Sequence, residues 1–534
     1  MAATPRETAD LVIVNGRLPT VEGDATAIAV KGDKITRVGK DRAVLALRGK
    51  ATKVIDARGR SVLPGFNDNH VHLYWGARSL AAPDVRAQRD LAGIQKVIGD
   101  YAEANPDLDW IDAGGWLNAQ LPGGAPDKTM LDTISTTRPI VLWSLDRHSA
   151  WVNSKALALI GVTAETPDPP NGEFVRDPVT RQPTGWLKEI SAVSFLQAAM
   201  PKPSTAEHER MMTLAINEAL RNGVTSVNEA FGNVEEFEIL DGMRKHDKLS
   251  LRISYALGVT PGFSDAEFAR YQAVWRAHPD TPLLKTGVVK FFLDGVPNAH
   301  TAFLLAPWGP QKDTGQSIYP RDEVMNLVSR FDAAGWQVMM HAMGDGAVRL
   351  GLDAVQNAET RNKPPARGRR HRIEHAFLVE PTDIQRFGKL KVLAAYQPVD
   401  MFLPPSTPAD PPNPQRPPQE GARWNAVRAA GAHASLGSDW PVFTMNALAR
   451  IYGIVDSRRA DQRMSLKQAL RAYTRESAYA SFNEKTQGSL TPGQFADIVI
   501  LSRDLVGSPP AAASDLAVDM TIFAGRVAYE RERR

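Results

Sequence analysis

The chain has 534 residues, of which 43% are hydrophobic and 23% charged, as is typical of a globular protein with a barrel-sized domain and additions. Its 63 basic and 60 acidic residues give a net charge of +3, so the charge balance predicts neither a nucleic acid nor a membrane surface as partner. The absence of cysteine excludes disulfides, thiolate metal sites and cysteine nucleophiles, which leaves His, Asp, Glu or a modified Lys to hold any metal.

The sequence offers no segment that would direct the chain into a membrane. Residues 1–8 are polar and mixed in charge, without the apolar core of a secretory signal. No run approaches the roughly 20 apolar residues that a spanning helix requires. We therefore expect a cytoplasmic protein.

Short β-strands are predicted at both ends of the chain, separated by turns such as Asn15-Gly16, which is typical of a hairpin. The predicted strands near the start are residues 10–14, 27–30, 35–38 and 54–56. Those near the end are residues 496–501, 520–523 and 526–529. Because chain ends often lie close together, residues 1–61 and 487–534 are predicted to form one small β-sandwich domain.

A segment rich in Trp, Pro and Gly, at about residues 75–200, is predicted to be an inserted subdomain after the first barrel strand. Five tryptophans lie within it: Trp110, Trp116, Trp143, Trp151 and Trp186. Most of the five are expected to pack in a core or at a domain interface, and one or two to line a substrate pocket. We assign Trp116 and Trp143 of the five to substrate binding, together with Trp75 and with Trp440 from a later segment.

From about residue 204 onward, predicted helices and short apolar strands alternate. The strands are predicted at residues 224–227, 251–256, 288–292, 337–341, 372–375, 392–396 and 434–437, after a first strand at residues 61–64. The helices between them include residues 205–221, 321–334, 346–358 and 422–430. Eight βα units predict an α/β fold, a (β/α)₈ TIM barrel over residues 62–486, with the β-sandwich and the insertion as additions.

A long segment crowded with proline, at about residues 397–421, interrupts this alternation. Loops of that length without regular structure are usually functional lids or disordered segments. Because this one follows the strand that ends at Tyr396, we expect a lid over the C-terminal face of the barrel that shapes the leaving-group pocket.

Side chains of metal-ligand type lie at the ends of five predicted barrel strands. His70 and His72 are two residues apart, so a strand would point both imidazoles to one face. The other four are Lys290, His341, His375 and Asp439. Since the C-terminal strand ends build the active site of such a barrel, these side chains are predicted to converge on a divalent metal.

Lys290 lies inside an apolar run, residues 287–293, and two interpretations stay open. As a structural residue, it is a buried lysine paired with Asp294 or Glu374. As a functional residue, it has a lowered pKa and reacts with carbon dioxide. The resulting carbamate is a carboxylate able to bridge two metals.

Six motifs carry this chemistry, at residues 65–72, 146–153, 289–295, 341–345, 371–375 and 437–441, and a seventh follows at residues 492–499. In sequence and order they resemble the amidohydrolase superfamily, and within it amidohydrolase family 3, the branch that contains N-substituted formamide deformylases. One position departs from the family pattern. After Val227 the family commonly has His or Gln and then Asp, whereas this chain has Asn228 and Glu229. The resemblance therefore assigns no role to Glu229.

The resemblance implies a metal site with the ligands His70, His72, Lys290, His341, His375 and Asp439. The first two histidines would bind the more buried metal and the later two the other, with N-carboxylated Lys290 between them. One or two divalent ions per chain are implied, and nitrogen and oxygen ligands favour Zn²⁺. Asp439 would also act as the proton shuttle, taking a proton from the attacking water and giving it to the leaving nitrogen.

The resemblance also places His148 among the catalytic candidates, and two interpretations stay open. His148, or the second metal, polarises the substrate carbonyl and stabilises the oxyanion. Alternatively, His148 is a structural partner of Asp146.

The implied activity is hydrolysis of an exocyclic amide C–N bond, in an N-substituted formamide, an N-acyl amide or a similar small molecule, by metal-activated hydroxide. Two alternatives stay open: a cyclic-amide hydrolase or aminohydrolase on the same barrel, and a non-catalytic metal-binding regulatory protein. We expect a homodimer that binds a small-molecule amide and neither nucleic acid nor membrane.

Overall fold

The computed structural model describes residues 8–145, 147–169, 172–297, 301–307, 313–398, 423–457, 459–507 and 516–532. The chain divides into two compact units. The first is drawn from Met1–Leu73, Ala215–Gly315 and Tyr319–Arg534, and the second from Tyr74–Leu214 and Gln316–Ile318. Within the described ranges, no helix is both long and apolar enough to cross a membrane.

The first unit begins with short strands joined by tight turns. Its elements are β1 (Ala9–Val14), β2 (Ala27–Lys31), β3 (Lys34–Gly39), α1 (Asp41–Leu45), β4 (Arg48–Asp56), β5 (Val62–Pro64) and β6 (Phe66–Val71). Strands β1 to β4 form one sheet in the order β3-β2-β1-β4. Strand β4 lies at one edge of this sheet and exposes most of its residues.

The second unit is a sheet covered by helices. Its elements are α2 (Leu73–Ala81), α3 (Leu91–Ala104), β7 (Ile111–Trp116), α4 (Lys128–Asp132), β8 (Ile140–Ser144), β9 (Ser149–Val152), α5 (Ser154–Ile160), β10 (Glu173–Arg176), β11 (Pro183–Lys188) and α6 (Glu189–Ala199). The strands lie in the order β10-β11-β9-β8-β7. Helix α3 is anchored by the carboxylate of Asp90, which accepts a hydrogen bond from Gly93 N at 2.9 Å.

The alternating helices and strands from residue 205 onward build a parallel barrel. Its elements are α7 (Thr205–Arg221), β12 (Val224–Gly232), α8 (Val234–Lys245), β13 (Arg252–Gly258), α9 (Asp265–Ala277), β14 (Leu284–Phe292), α10 (Arg321–Ala333), β15 (Gln337–Ala342), α11 (Asp345–Arg361), β16 (Arg372–His375), α12 (Pro381–Lys389), β17 (Leu393–Tyr396), α13 (Trp424–Ala429), β18 (Ala434–Leu436), α14 (Ala447–Val455), α15 (Leu466–Arg471) and α16 (Ser477–Ala480). The strand order is β18-β17-β16-β15-β14-β13-β12-β6. The predicted (β/α)₈ fold is confirmed.

The barrel closes beyond the end of β18. Asp439 N donates to His70 O at 2.8 Å, and His72 N donates to Trp440 O at 2.8 Å. The segment after β18 therefore continues as a partner of β6. This closure fixes Asp439 beside the two histidines of β6.

The remaining strands pair with a strand from the start of the chain. They are β19 (Ile498–Leu501), β20 (Val518–Phe523) and β21 (Arg526–Glu530), and they form a sheet with β5 in the order β21-β20-β19-β5. Buried side chains of both terminal sheets share one apolar core, which includes Ile13, Ile28, Ile498 and Ile522. The predicted β-sheets from both ends of the chain are therefore confirmed.

The first barrel strand differs from the prediction. Residues 62–64, predicted to end that strand, instead pair antiparallel with β19, and the barrel begins with β6. Gly65 makes the transition possible, because a Cβ there would lie 2.1 Å from Thr225 Oγ1 of β12. The predicted lid at residues 397–421 lies, from residue 399 on, outside the described residues.

Candidate metal centre

Two imidazoles leave the end of β6 on the same side. His70 is completely buried and His72 is 4% exposed, and their ring centroids are 5.3 Å apart. The two-residue spacing on an extended backbone gives both rings one direction. The two rings therefore lie close together at the end of β6.

Two further imidazoles come from the ends of neighbouring strands. In the register of β15 and β16, His341 lies opposite Glu374 and Ala342 opposite His375. The ring centroids of His341 and His375 are 4.5 Å apart, and those of His70 and His375 are 4.9 Å apart. Three strands thus bring four imidazoles together at the C-terminal end of the barrel.

The carboxylate of Asp439 faces these rings. Its Oδ1 lies 3.5 Å from His70 Nε2 and 3.4 Å from His72 Nε2. One ligand atom each from His70, His375 and Asp439 lie within 4.8 Å of one another, a spacing suited to a single ion.

The backbone at these strand ends is strained. His375, Ala376 and Asp439 adopt φ angles of 70°, 42° and 59°, in the left-handed region that residues other than glycine seldom occupy. Such strain persists where the surrounding structure holds it, and it clusters at functional sites.

Lys290 is completely buried in β14, and burial lowers its pKa to about 8. In the described part of the chain no hydrogen-bond partner lies within reach of its Nζ. Glu374 accepts bonds from Arg372, and Asp294 accepts bonds from the backbone N–H groups of Met343 and Gly344. Neither of the two carboxylates proposed as structural partners therefore hydrogen-bonds to the lysine.

Buried oxygens fix the tautomers of two histidines. Glu374 Oε2 lies 2.6 Å from His70 Nδ1, and Gln397 Oε1 lies 2.7 Å from His375 Nδ1. A ring whose Nδ1 donates its proton presents the lone pair of Nε2 to a metal. Burial lowers the pKa of His375 to about 4 and that of His70 well below its usual range, so both rings are neutral at physiological pH.

Glu229, to which the resemblance assigned no role, supports the start of α2. Its carboxylate accepts from Leu73 N at 2.5 Å and from Phe231 N at 3.0 Å, and Oε1 lies 3.8 Å from His72 Nδ1. Burial by itself favours a neutral His72, but the carboxylates of Asp439 and Glu229 outweigh it and raise the His72 pKa.

The donor set fits a divalent metal. It combines four imidazoles, a carboxylate and a lysine, with no thiolate available in the chain. Among the residues that the structure describes, His70 Nε2 and Lys290 Nζ are buried without a hydrogen-bond partner. Buried polar atoms are costly in that state, and a bound ion would satisfy the nitrogen of His70.

Comparison with known proteins identifies the family of this chain. The model of the amidohydrolase family matches residues 53–529. The chain belongs to the amidohydrolase family. It is 29% identical to Protein LONG AFTER FAR-RED 3 of Arabidopsis thaliana, over 92% of this chain and 87% of that protein. It is 27% identical to the N-substituted formamide deformylase of Arthrobacter pascens, over 98% of each chain.

Among solved structures, this amidohydrolase is similar to an uncharacterized metal-dependent hydrolase from Pyrococcus furiosus. The TM-score is 0.73 at 23% sequence identity, and the likeness covers 92% of this chain and 99% of that chain. At this identity the similarity shows a shared fold.

The second unit of the amidohydrolase contains four of the other predicted site residues, His148, Trp75, Trp116 and Trp143. His148 Nδ1 lies 2.8 Å from Glu189 Oε2, whereas Asp146, its proposed structural partner, lies outside the described residues. Trp75 and Trp143 line a small cavity. Trp116, which we had assigned to substrate binding, is 1% exposed and packs edge-to-face against Trp151, as a core residue does. Trp440 belongs to the first unit and is 6% exposed.

The sequence did not reveal the residues that support the site in this amidohydrolase. Asp68 Oδ1 accepts from Ser438 N at 2.8 Å and so holds the segment that carries Asp439. Glu374 of β16 orients His70 of β6, and Gln397, directly after β17, orients His375 at the end of the neighbouring strand β16. The position of each in the sequence could have indicated its role. Asp68 lies two residues before His70, Glu374 directly precedes His375, and Gln397 follows the last residue of β17.

We expect Glu374→Gln to weaken metal binding by about 10–100-fold, the usual effect of removing an outer-shell partner. The amide keeps the size but loses the charge that orients and polarises His70. Competition with a chromophoric chelator measures the affinity. Glu484→Gln, which removes a part-buried carboxylate paired with Arg370, is the matched control and should bind metal normally. Equal affinities in the two variants would show that Glu374 does not support the site.

Proposed function

We propose that this amidohydrolase hydrolyses an exocyclic amide C–N bond of a small molecule, of the class of N-substituted formamides or N-acyl amides. The observation that carries the proposal is the cluster of His70, His375 and Asp439, whose ligand atoms lie within 4.8 Å of one another at the C-terminal end of the barrel. The similarity to N-substituted formamide deformylase over 98% of the chain supports the substrate class.

The residues that would hold the metal are His70, His72, Lys290, His341, His375 and Asp439, with one or two Zn²⁺ ions per chain. When bound there, a divalent metal supplies Lewis acidity, which makes water nucleophilic near neutral pH and polarises a carbonyl. The neutral imidazoles of His70 and His375 provide lone pairs, and their hydrogen-bonded partners keep those lone pairs aimed inward.

Asp439 is the group placed to move protons. Although burial opposes ionisation, the hydrogen bond from His72 lowers the pKa of Asp439, so the carboxylate is ionised at neutral pH. It accepts a proton from the attacking water. The same carboxyl group then protonates the departing nitrogen, which would be a poor leaving group as an anion.

The proposal is tested with a substrate panel. Zinc-loaded protein should turn over N-substituted formamides or N-acyl amides in preference to cyclic ureas and aminopurines. Chelation should abolish turnover, and added Zn²⁺ should restore it, because the attacking water depends on the metal. Preferential turnover of the cyclic or aminopurine substrates would replace this function by the cyclic-amide or aminohydrolase alternative. Full activity without a metal would refute the proposal.

We also propose that the protein is a homodimer. Light scattering coupled to size-exclusion chromatography measures the mass directly. A mass of one chain, 58.4 kDa, at micromolar concentration would refute the proposal.

A further inference from the structure

The second unit contains a cavity of about 30 Å³ lined by aromatic rings and cations. Two helices supply part of its lining through residues spaced about one helical turn apart. Tyr74 and Arg78 are four residues apart on α2, and Ile190 and Val193 are three residues apart on α6, so each pair lies on one face of its helix. The other principal lining residues are Trp75, Trp143 and Arg147.

One of the two cations in this cavity is already neutralised. Arg78 forms an ion pair with Asp112, and Trp143 Nε1 donates to the same carboxylate at 2.7 Å. Both oxygens of Asp112 are therefore in use. The guanidinium of Arg78 also lies 5.5 Å from the centre of the Trp143 ring, which keeps it against the aromatic wall.

Arg147 is the second cation that lines this cavity. Its side-chain hydrogen bond goes to the neutral hydroxyl of Ser79, and no carboxylate of the described residues forms an ion pair with it. The guanidinium lies over Gly114, where a Cβ would come within 3.2 Å of Nη2, so the glycine makes room for it. The residue also adopts a left-handed φ of 65°.

We propose that this cavity binds the carboxylate of a small aromatic acid. A planar carboxylate matches the planar guanidinium and would supply the ion-pair partner that Arg147 does not have among the described residues. The volume has room for the carboxylate group alone, and the planar body of the acid would extend from the cavity against the rings of Trp75 and Trp143. The proposal does not depend on the proposed amide hydrolysis.

The experiment is calorimetric titration of the full-length, zinc-loaded protein with benzoate, and with benzyl alcohol as the uncharged analogue. We expect one benzoate per chain, and binding of benzyl alcohol weaker by at least about tenfold, since a hydrogen-bonded charge pair is lost. Equal binding of the two compounds, or no binding of benzoate, would overturn the proposal.

Variants locate the site. Arg147→Gln should weaken benzoate binding by about tenfold or more and leave benzyl alcohol unaffected. Arg147→Lys keeps the charge without the planar fork and should show intermediate affinity, and it serves as the second variant if Arg147→Gln does not fold. The control is Arg86→Gln, an exposed arginine of the same unit that pairs with Asp84 and does not line the cavity.

The metal centre is the competing location for a carboxylate. Benzoate binding that disappears on metal removal but persists in Arg147→Gln would place the ligand at the metal and overturn the proposal. Binding that survives metal removal and is weakened by Arg147→Gln supports it. Melting temperatures recorded alongside separate an effect on binding from a loss of folded protein.

Discussion

Asp439→Asn is expected to lower turnover by about 10²–10⁴-fold, the usual contribution of a positioned proton-transfer group. Asparagine keeps the size and one oxygen ligand but cannot accept the proton of the attacking water. Because the substitution leaves the binding surface nearly unchanged, the loss should fall on kcat rather than on KM. Steady-state kinetics with metal content measured on the same samples provide the test.

A matched control separates this effect from a loss of folded protein. Asp383 is also buried and carries charged partners, Arg349 and Arg386, but it belongs to α12. Asp383→Asn should therefore lower the melting temperature and keep normal turnover per folded molecule. Normal turnover of Asp439→Asn at full metal occupancy would show that another group moves the proton, and His148 would be tested next.

Lys290→Ala is expected to lose bound metal, with an affinity at least about 100-fold lower, and with it the activity. A lysine with a pKa of about 8 has a large neutral fraction near that pH, and the neutral amine is the form that reacts with carbon dioxide. The carbamate so formed would be an oxygen ligand among the imidazoles. Elemental analysis and turnover measure the loss, and added formate or acetate should restore part of both by supplying a carboxylate.

The same strand provides the control. Lys285 also lies in β14, and burial lowers its pKa to about 8, but its Nζ donates to Asn483 Oδ1 at 2.6 Å. Five residues of strand separate the two lysines, which is about 16 Å. Lys285→Ala should cost stability and keep the metal. Full metal content and turnover in Lys290→Ala would rule out a bridging lysine.

The barrel and the convergence of its ligand-type side chains were predictable because both follow local rules. Strand periodicity gives His70 and His72 one direction, and the ends of parallel strands meet at one face. The destination of Val62, in contrast, depends on a partner strand at the other end of the chain. An apolar run does not reveal which sheet will accept it.

The roles of the supporting residues and of the tryptophans also depend on contacts between distant parts of the chain, so the sequence did not predict them. Trp116 and Trp143 look alike in sequence and both pack in a core, and the surrounding side chains decide that Trp143 also lines a cavity. Gln397 has a role only because β16 and β17 are neighbours, which places its amide oxygen next to His375. Such pairings depend on tertiary contacts rather than on sequence spacing.

The pairing of β5 with β19 delays the completion of this sheet until the end of synthesis. The ribosome completes β5 early, but β19 follows only after every strand of the barrel. Until then the edge of β5 that pairs with β19 has no partner, and Val62 and Leu63, completely buried in the final structure, lack the cover that β19 provides. A nascent chain of this protein therefore exposes an unpaired strand edge while the barrel is being translated. A chain that ends before Ile498 keeps this edge unpaired and is expected to aggregate.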